Sequence, residues 1–144
     1  MAVPTRALTP ADLELVDAAR AVLKRNEHPD RHGVGAAVRC VSGRVYTGIN
    51  VEACGYGPCA EHVAIGAALT AGERRLVTIV AVAHREDDFP VIPPCGGCRQ
   101  LLVDYSPDCL VIVVTDSGLA KARACDLLPM AYRSGFRGYE EGDP

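Results

Sequence analysis

Leu76-Val77-Thr78-Ile79-Val80-Ala81-Val82-Ala83-His84 is the stretch that decides the fold. It is β-branched and apolar throughout, without the alternation of a half-exposed strand, so it predicts a strand covered on both faces. Cys109 to Thr115 repeats the pattern and predicts a second buried strand. Such strands need helices above and below, and the sequence supplies candidates. Thr9-Pro10-Ala11-Asp12 reads as a helix start, with Thr as cap, Pro at the first position and an acid in the first turn. Leu13, Leu15, Val16, Ala19, Val22 and Leu23 follow at helical spacing, giving a helix over Pro10 to Lys24. Ala60 to Ala71 predicts a buried helix that begins near Pro58 and is stopped by Gly72, and Cys95 to Tyr105 a helix cut off by Ser106-Pro107.

Val34 to Val41, Ser42-Gly43 and Arg44 to Asn50 read as a strand, a tight turn and its hairpin partner. Lys121 to Ala124 is expected as a short edge strand, followed by a helical turn around Asp126 to Met130. Asn26 to Gly33, Glu52 to Pro58 and Arg85 to Pro94 are expected loops, and Asp116-Ser117-Gly118 a turn. The order of elements implies an α/β fold: a three-layer α/β/α sandwich with a mixed five-stranded sheet, in one domain over residues 1–144.

Hydrophobic residues make up 49% and charged residues 23%, the composition of a packed globular chain. The net charge of −3 comes with no basic stripe, which disfavours a nucleic-acid partner. No apolar run is long enough to span a bilayer, and Met1 to Leu8 lacks the apolar centre of a signal peptide. The seven cysteines are therefore expected as thiols in a cytoplasmic protein, not as a disulfide framework.

Their spacing supplies a task. Cys59-Ala60-Glu61 and Pro94-Cys95-Gly96-Gly97-Cys98 each fall at a predicted helix start, where partial positive charge favours thiolates. Cys95 and Cys98, three residues apart, share one helix face and can bind one ion. Three thiolates on zinc leave a fourth tetrahedral position for water, and Glu61 is placed to move that water's proton. Three thiolates also leave a net negative charge, which a nearby cation would offset; Arg99 and His62 are the candidates. The competing reading is a closed structural site completed by Cys54, which would leave Glu61 without a role.

At these residues the chain resembles the cytidine deaminase family, and within it the blasticidin-S deaminase branch. The likeness runs from about Val34 to Tyr132 and is carried by Val34-Gly35-Ala36-Ala37, Gly48-Ile49-Asn50-Val51-Glu52, Gly57-Pro58-Cys59-Ala60-Glu61, Pro94-Cys95-Gly96-Gly97-Cys98-Arg99-Gln100 and Leu127-Leu128-Pro129. The resemblance implies zinc on Cys59, Cys95 and Cys98, proton transfer by Glu61, sugar hydroxyls held by Asn50 and Glu52, and a homotetramer whose subunits share active sites. Tyr132 matches the family's aromatic position after Leu-Leu-Pro and is a candidate stacking surface for a base; Phe136 and Tyr139 sit in a tail expected to order against a neighbouring subunit.

The short segment from Asn50 to Cys59, with Gly57-Pro58, follows the antibiotic branch, whereas Glu52 follows the cytidine type. His32 replaces an aromatic residue, and His62 the Arg after the catalytic Glu. The expected reaction converts a cytosine-type nucleoside, cytidine or deoxycytidine, to its uracil-type product with release of ammonia. A blasticidin-S-like antibiotic or another amino-heterocycle is the alternative substrate.

Overall fold

The computed structural model describes residues 2–133 and 135; Phe136 and Tyr139 lie outside the described residues. The elements are α1 (Pro10–Asn26), β1 (Val34–Cys40), β2 (Val45–Ile49), α2 (Ala60–Thr70), β3 (Leu76–Ala83), β4 (Val91–Ile92), α3 (Gly96–Tyr105), β5 (Leu110–Thr115) and β6 (Gly118–Arg123), then a 3₁₀ turn at Ala124–Leu127. The sheet order is β2-β1-β3-β5-β6, with β4 paired to β3. Only β3 and β5 run parallel; the other pairs are antiparallel, so the sheet is mixed as expected.

The two faces of the sheet separate by residue parity, as a period of two requires. Ala36, Val38, Ile79, Ala81, Val111 and Val113 pack with Ala60, Ala64, Ile65 and Ala68 of α2 and Leu102 of α3. Ala37, Val80, Val82 and Ile112 pack with Leu15, Val16, Ala19 and Leu23 of α1. Every residue of β3 except Val77 is buried, which is the doubly covered strand its composition demands. Three layers result: α1, the sheet, then α2 with α3.

Among the described residues the sheet has six strands, not five. The additional strand, β4, lies inside the segment expected to be a loop: Val82 and Ala81 of β3 offer paired backbone to Val91 and Ile92, and Val91 is buried. Two residues are too short a run for periodicity to signal. At the far edge β6 starts at Gly118 and continues to Arg123, earlier and longer than expected, because Gly118, at φ +114°, pairs with Thr115 across a tight turn. The turn after it correspondingly falls at Ala124–Leu127 instead of Asp126 to Met130.

A single glycine sets the approach of α2 to the sheet. A Cβ on Gly48 of β2 would lie 2.6 Å from the Ala64 nitrogen and 2.8 Å from the Ala60 oxygen, so only glycine lets the first turns of α2 lie on the strand. Cys59 and Glu61 belong to that end of α2.

Candidate active site

Cysteine occupies the N-cap of both helices on this face. Cys59 caps α2 and Cys95 caps α3, each with extended backbone and no side-chain bond to the helix. The thiols therefore stand beside helix N-termini, whose N–H groups and partial positive charge favour a thiolate there. Cys98 follows one turn into α3 and is buried.

The sulfur atoms converge: Cys59 Sγ is 3.6 Å from Cys95 Sγ, which is 3.5 Å from Cys98 Sγ. Sulfurs bound to one tetrahedral zinc at about 2.3 Å are about 3.8 Å apart, so the three thiols fit that ion with little adjustment. His62 joins them from the first turn of α2, its Nδ1 3.4 Å from Cys98 Sγ. The donor atoms of Cys59, His62 and Cys98 lie within 4.8 Å of one another, so His62 stands beside the thiol set. Cys54, which a closed structural site would need, is exposed on the loop before α2 and is not a buried core thiol.

Environment sorts the three thiols. Burial works against the Cys95 thiolate, but the backbone N–H groups of Cys98 and Gly97 and the neighbouring thiols hold its pKa below the ordinary value. Burial raises Cys59, with further contributions from Cys95 and Glu61. Burial and then the adjacent Glu61 carboxylate raise Cys98 strongly. Two thiols thus keep their protons until a metal ion takes the protons' place, which links ion binding to proton release.

Glu61 sits in the first turn of α2 and is only 5% exposed. With Cys59 and Cys95 it lines a cavity of about 220 Å³, whose other walls include Val34, Asn50, Glu52, Pro58, Ile92 and Pro93. That is below the roughly 300–1,000 Å³ of sites for drug-sized ligands, so it suits a small ring system. Metal donors, a buried carboxylate and polar groups thus share one pocket. A second cavity, about 610 Å³, lies at the starts of β3 and β5, beside Arg75, Pro107 and Arg123, and lacks that combination.

The remaining residues expected at the site divide. Asn50 and Glu52 both reach the pocket, and the Asn50 side chain also ties down the loop before β1 by accepting from the Gly33 and Val34 N–H groups. Arg99 makes its side-chain hydrogen bonds to backbone carbonyls: its Nε donates to Pro94, next to Cys95, and its Nη1 to Leu127, at 2.9 Å each. Those bonds brace the start of α3 against the 3₁₀ turn, leaving His62 as the imidazole in contact with a thiol. Tyr132 is 73% exposed; its carbonyl accepts from Gln100, and it is not among the described residues that line the pocket. Sequence reasoning missed Ile92 and Pro93 as walls. The apolar pair Val91-Ile92 before Pro93-Pro94 was the available signal.

Comparison with known proteins agrees with this geometry. Residues 10–114 match the family described as the cytidine and deoxycytidylate deaminase zinc-binding region. The chain is 38% identical over 128 residues to blasticidin-S deaminase of Bacillus cereus, covering 84% of this chain and 91% of that protein. It is 38% identical over 104 residues to cytidine deaminase of Mycobacterium tuberculosis, covering 71% and 74%. The crystal structure of cytidine deaminase from Burkholderia pseudomallei superposes with a TM-score of 0.69 at 32% identity, over 87% of this chain and all of that one. The chain belongs to the cytidine deaminase family, the zinc-dependent hydrolytic deaminases.

Proposed function

We propose that the chain hydrolyses the exocyclic C–N bond of a cytosine-type nucleoside, cytidine or deoxycytidine, with zinc held by Cys59, Cys95 and Cys98. The observation that carries this reading is the placement of buried Glu61 in one small pocket with the Cys59 and Cys95 thiols and with Asn50 and Glu52. Zinc bound there supplies Lewis acidity that makes water a nucleophile near neutral pH. Glu61 takes the water's proton and passes it to the ring nitrogen. The oxygen bonds to the ring carbon, the C=N bond becomes single, and that carbon carries both oxygen and amine. Glu61 then moves the second proton from oxygen to amine; the C–N bond breaks, ammonia leaves and the carbonyl forms. Substrate and water are consumed, and one uracil-type product and one ammonia appear.

Cys98 and His62 support the set from the far side, the imidazole fixing the thiol it touches. Asn50 and Glu52 provide the polar wall for sugar hydroxyls. Tyr132 stacks on a base only where a neighbouring subunit's pocket receives it. A homotetramer is supported by the large apolar groups this chain leaves in water, Met130 at 101% and Tyr132 at 73% exposure. The free state of all seven cysteines supports a cytoplasmic, reducing setting, with the reaction serving pyrimidine salvage.

A second substrate reading has its own support. The likeness to blasticidin-S deaminase extends over 91% of that protein, more than the 74–78% covered for the cytidine deaminases of Mycobacterium tuberculosis and Halalkalibacterium halodurans. Ammonia release by zinc-loaded protein from cytidine, deoxycytidine, cytosine, blasticidin S and adenosine decides between them. Turnover of cytidine that disappears in Glu61→Ala supports the first reading. Turnover of blasticidin S alone moves the substrate. No release from any of them sinks the assignment.

A further inference from the structure

The second cavity, about 610 Å³, lies between the turns that lead from α2 into β3 and from α3 into β5. The candidate active site is at the other end of these strands, where Ile92 pairs with Ala81. Val41, Leu76, Pro107 and Leu110 give the cavity apolar walls. Among the described residues that line it, its charge comes from Arg6, Arg75, Arg123 and one acid, Asp108. That is a positive surplus in a chain whose net charge is −3.

The three arginines differ in circumstance. Arg123 is engaged: its Nε and Nη2 donate to both Asp126 carboxylate oxygens at 3.0 and 3.1 Å, and its Nη1 donates to Asp108 at 3.4 Å. Arg6 and Arg75 combine held backbones with unpaired side chains. Arg6 exchanges backbone hydrogen bonds with Lys121 of β6 at 2.8 and 2.9 Å, and the Arg75 carbonyl accepts from the Val41 N–H at 3.0 Å. Neither guanidinium has a hydrogen bond or ion pair among the described residues. A basic residue after a helix commonly serves the helix's last carbonyls. Here Arg74 does so, donating to Leu69 and Glu73, and that role does not account for Arg75. Ser106 Oγ accepts from the Leu76 N–H at 3.2 Å, which leaves its hydroxyl proton as a third donor at the cavity.

We infer that this cavity binds a small organic phosphate monoester, with Arg6 and Arg75 on the phosphate and the apolar walls against its organic part. A guanidinium presents a planar pair of N–H groups that matches two phosphate oxygens, and two guanidiniums match the double charge. Asp108 does not oppose it, because Arg123 already holds that carboxylate. Inorganic phosphate would leave the apolar wall in water, where Val41 is 58% exposed, whereas an organic body covers it. The volume falls within the roughly 300–1,000 Å³ usual for organic ligands. The lining shares no residue with the pocket of Cys59, Glu61 and Cys95, so the phosphate does not compete with the substrate.

Calorimetric titration of zinc-loaded protein with phenyl phosphate tests this. Inorganic phosphate supplies the ion without the body, and benzoate the body without the second charge. Phenyl phosphate is expected to bind more tightly than either. Arg6→Ala and Arg75→Ala should each weaken it at least about tenfold, as for a lost hydrogen bond to a charged group, and Arg75→Glu should abolish it. Arg75→Lys should retain part of the affinity, since it keeps the charge without the fork. Added sodium chloride should weaken wild-type binding and act less on Arg6→Ala. Both arginines are exposed, so the variants fold and keep wild-type turnover.

Absence of phenyl phosphate binding overturns the inference, and so does binding that ignores both substitutions. Affinity that vanishes when zinc is removed places the phosphate on the metal and overturns it as well. Inorganic phosphate or benzoate bound as tightly as phenyl phosphate contradicts the ligand class. None of the binding readouts uses turnover, so failure here leaves the deaminase assignment untouched.

Discussion

Two helices begin with a carboxylate in the first turn, and the two carboxylates do opposite work. Asp12 in α1 is fully buried, yet it is saturated with donors: Lys121 Nζ at 2.6 Å, Arg39 Nη2 at 3.1 Å and the Thr9 N–H at 2.8 Å. Glu61 in α2 is buried almost as deeply, but among the described residues it has no ion pair; its surroundings are thiols and a pocket. The helix grammar is the same in both places. What differs is whether the neighbours leave the carboxylate anything to do. A buried acid that is fully paired holds a structure together, and a buried acid held beside metal donors is available for proton transfer.

The largest expected effect breaks the comparison on the catalytic side. Glu61→Gln keeps the volume and removes the base; turnover should fall by on the order of 10³–10⁴-fold, the upper end for general acid–base catalysis. Zinc content by elemental analysis and the melting temperature should stay near wild type. A variant that lost its zinc together with its turnover would instead make Glu61 part of the metal's support. On the structural side, Asp12→Ala strands Lys121 and Arg39 against a buried gap and should cost about 3–5 kcal/mol, read by urea unfolding. The folded fraction should retain wild-type kcat, since α1 lies on the opposite face of the sheet from the pocket.

The same contrast gives a pH signature. Burial alone would raise the Asp12 carboxyl, but Lys121, Thr9 and Arg39 overcome it and hold the pKa at about 2 against an ordinary 3.8. Between these values the unfolded chain binds a proton that the folded chain does not. Stability is therefore complete above pH 4 and falls as the pH drops toward 2, by about 2 kcal/mol from this group. Urea midpoints from pH 5 to 2, compared with an Asp12→Asn/Lys121→Met double variant, would isolate it. An unchanged slope in that variant would mean that Asp12 is not the group responsible.

Legibility in the sequence followed the same division. Thr9-Pro10-Ala11-Asp12 states its structure locally, and the helix begins where those residues say. The β3 run likewise declares itself by composition, and the cysteine spacing announced a metal site because thiols three apart at a helix start have few other uses. Asp12's partners were not legible: Lys121 is 109 residues away, and no local pattern encodes a contact made through the tertiary fold. Arg99 shows the same limit in reverse. Adjacent to Cys98 in sequence, it was expected to face the thiols, but its side chain reaches instead to Pro94 and Leu127. Adjacency along a helix does not place two side chains on one face. Strand β4 was missed because its two residues pair through backbone atoms that side-chain patterning does not report.

His62 sharpens the comparison further, because it is the imidazole that α2 brings to a thiol, where β1 and β6 bring the α1 carboxylate two cations. His62→Ala should lower zinc affinity roughly 10–100-fold, as loss of an orienting partner does elsewhere. Competition with a chromogenic chelator would measure it. No change in affinity would reduce the 3.4 Å contact with Cys98 to packing.

The smallest effect separates the caps themselves. Thr9 closes a capping box: its side chain accepts from the Asp12 N–H while Asp12 accepts from the Thr9 N–H. Thr9→Ala should therefore cost about 1 kcal/mol by urea unfolding. Cys59 and Cys95 stand at the same position of their helices without a closed capping box, and the Gly97 and Cys98 N–H groups that a cap would engage favour the Cys95 thiolate instead. Cys95→Ser restores an oxygen acceptor there and should leave the metal-free protein as stable as wild type or up to about 1 kcal/mol more so. The same variant should lose most of the stabilisation that added zinc gives wild type, because a ligand that binds only the folded state stabilises in proportion to its affinity. Opposite signs with and without zinc would show that this cap is set for metal binding rather than for helix stability, and a loss in both conditions would show that the thiol already supports α3 without the ion.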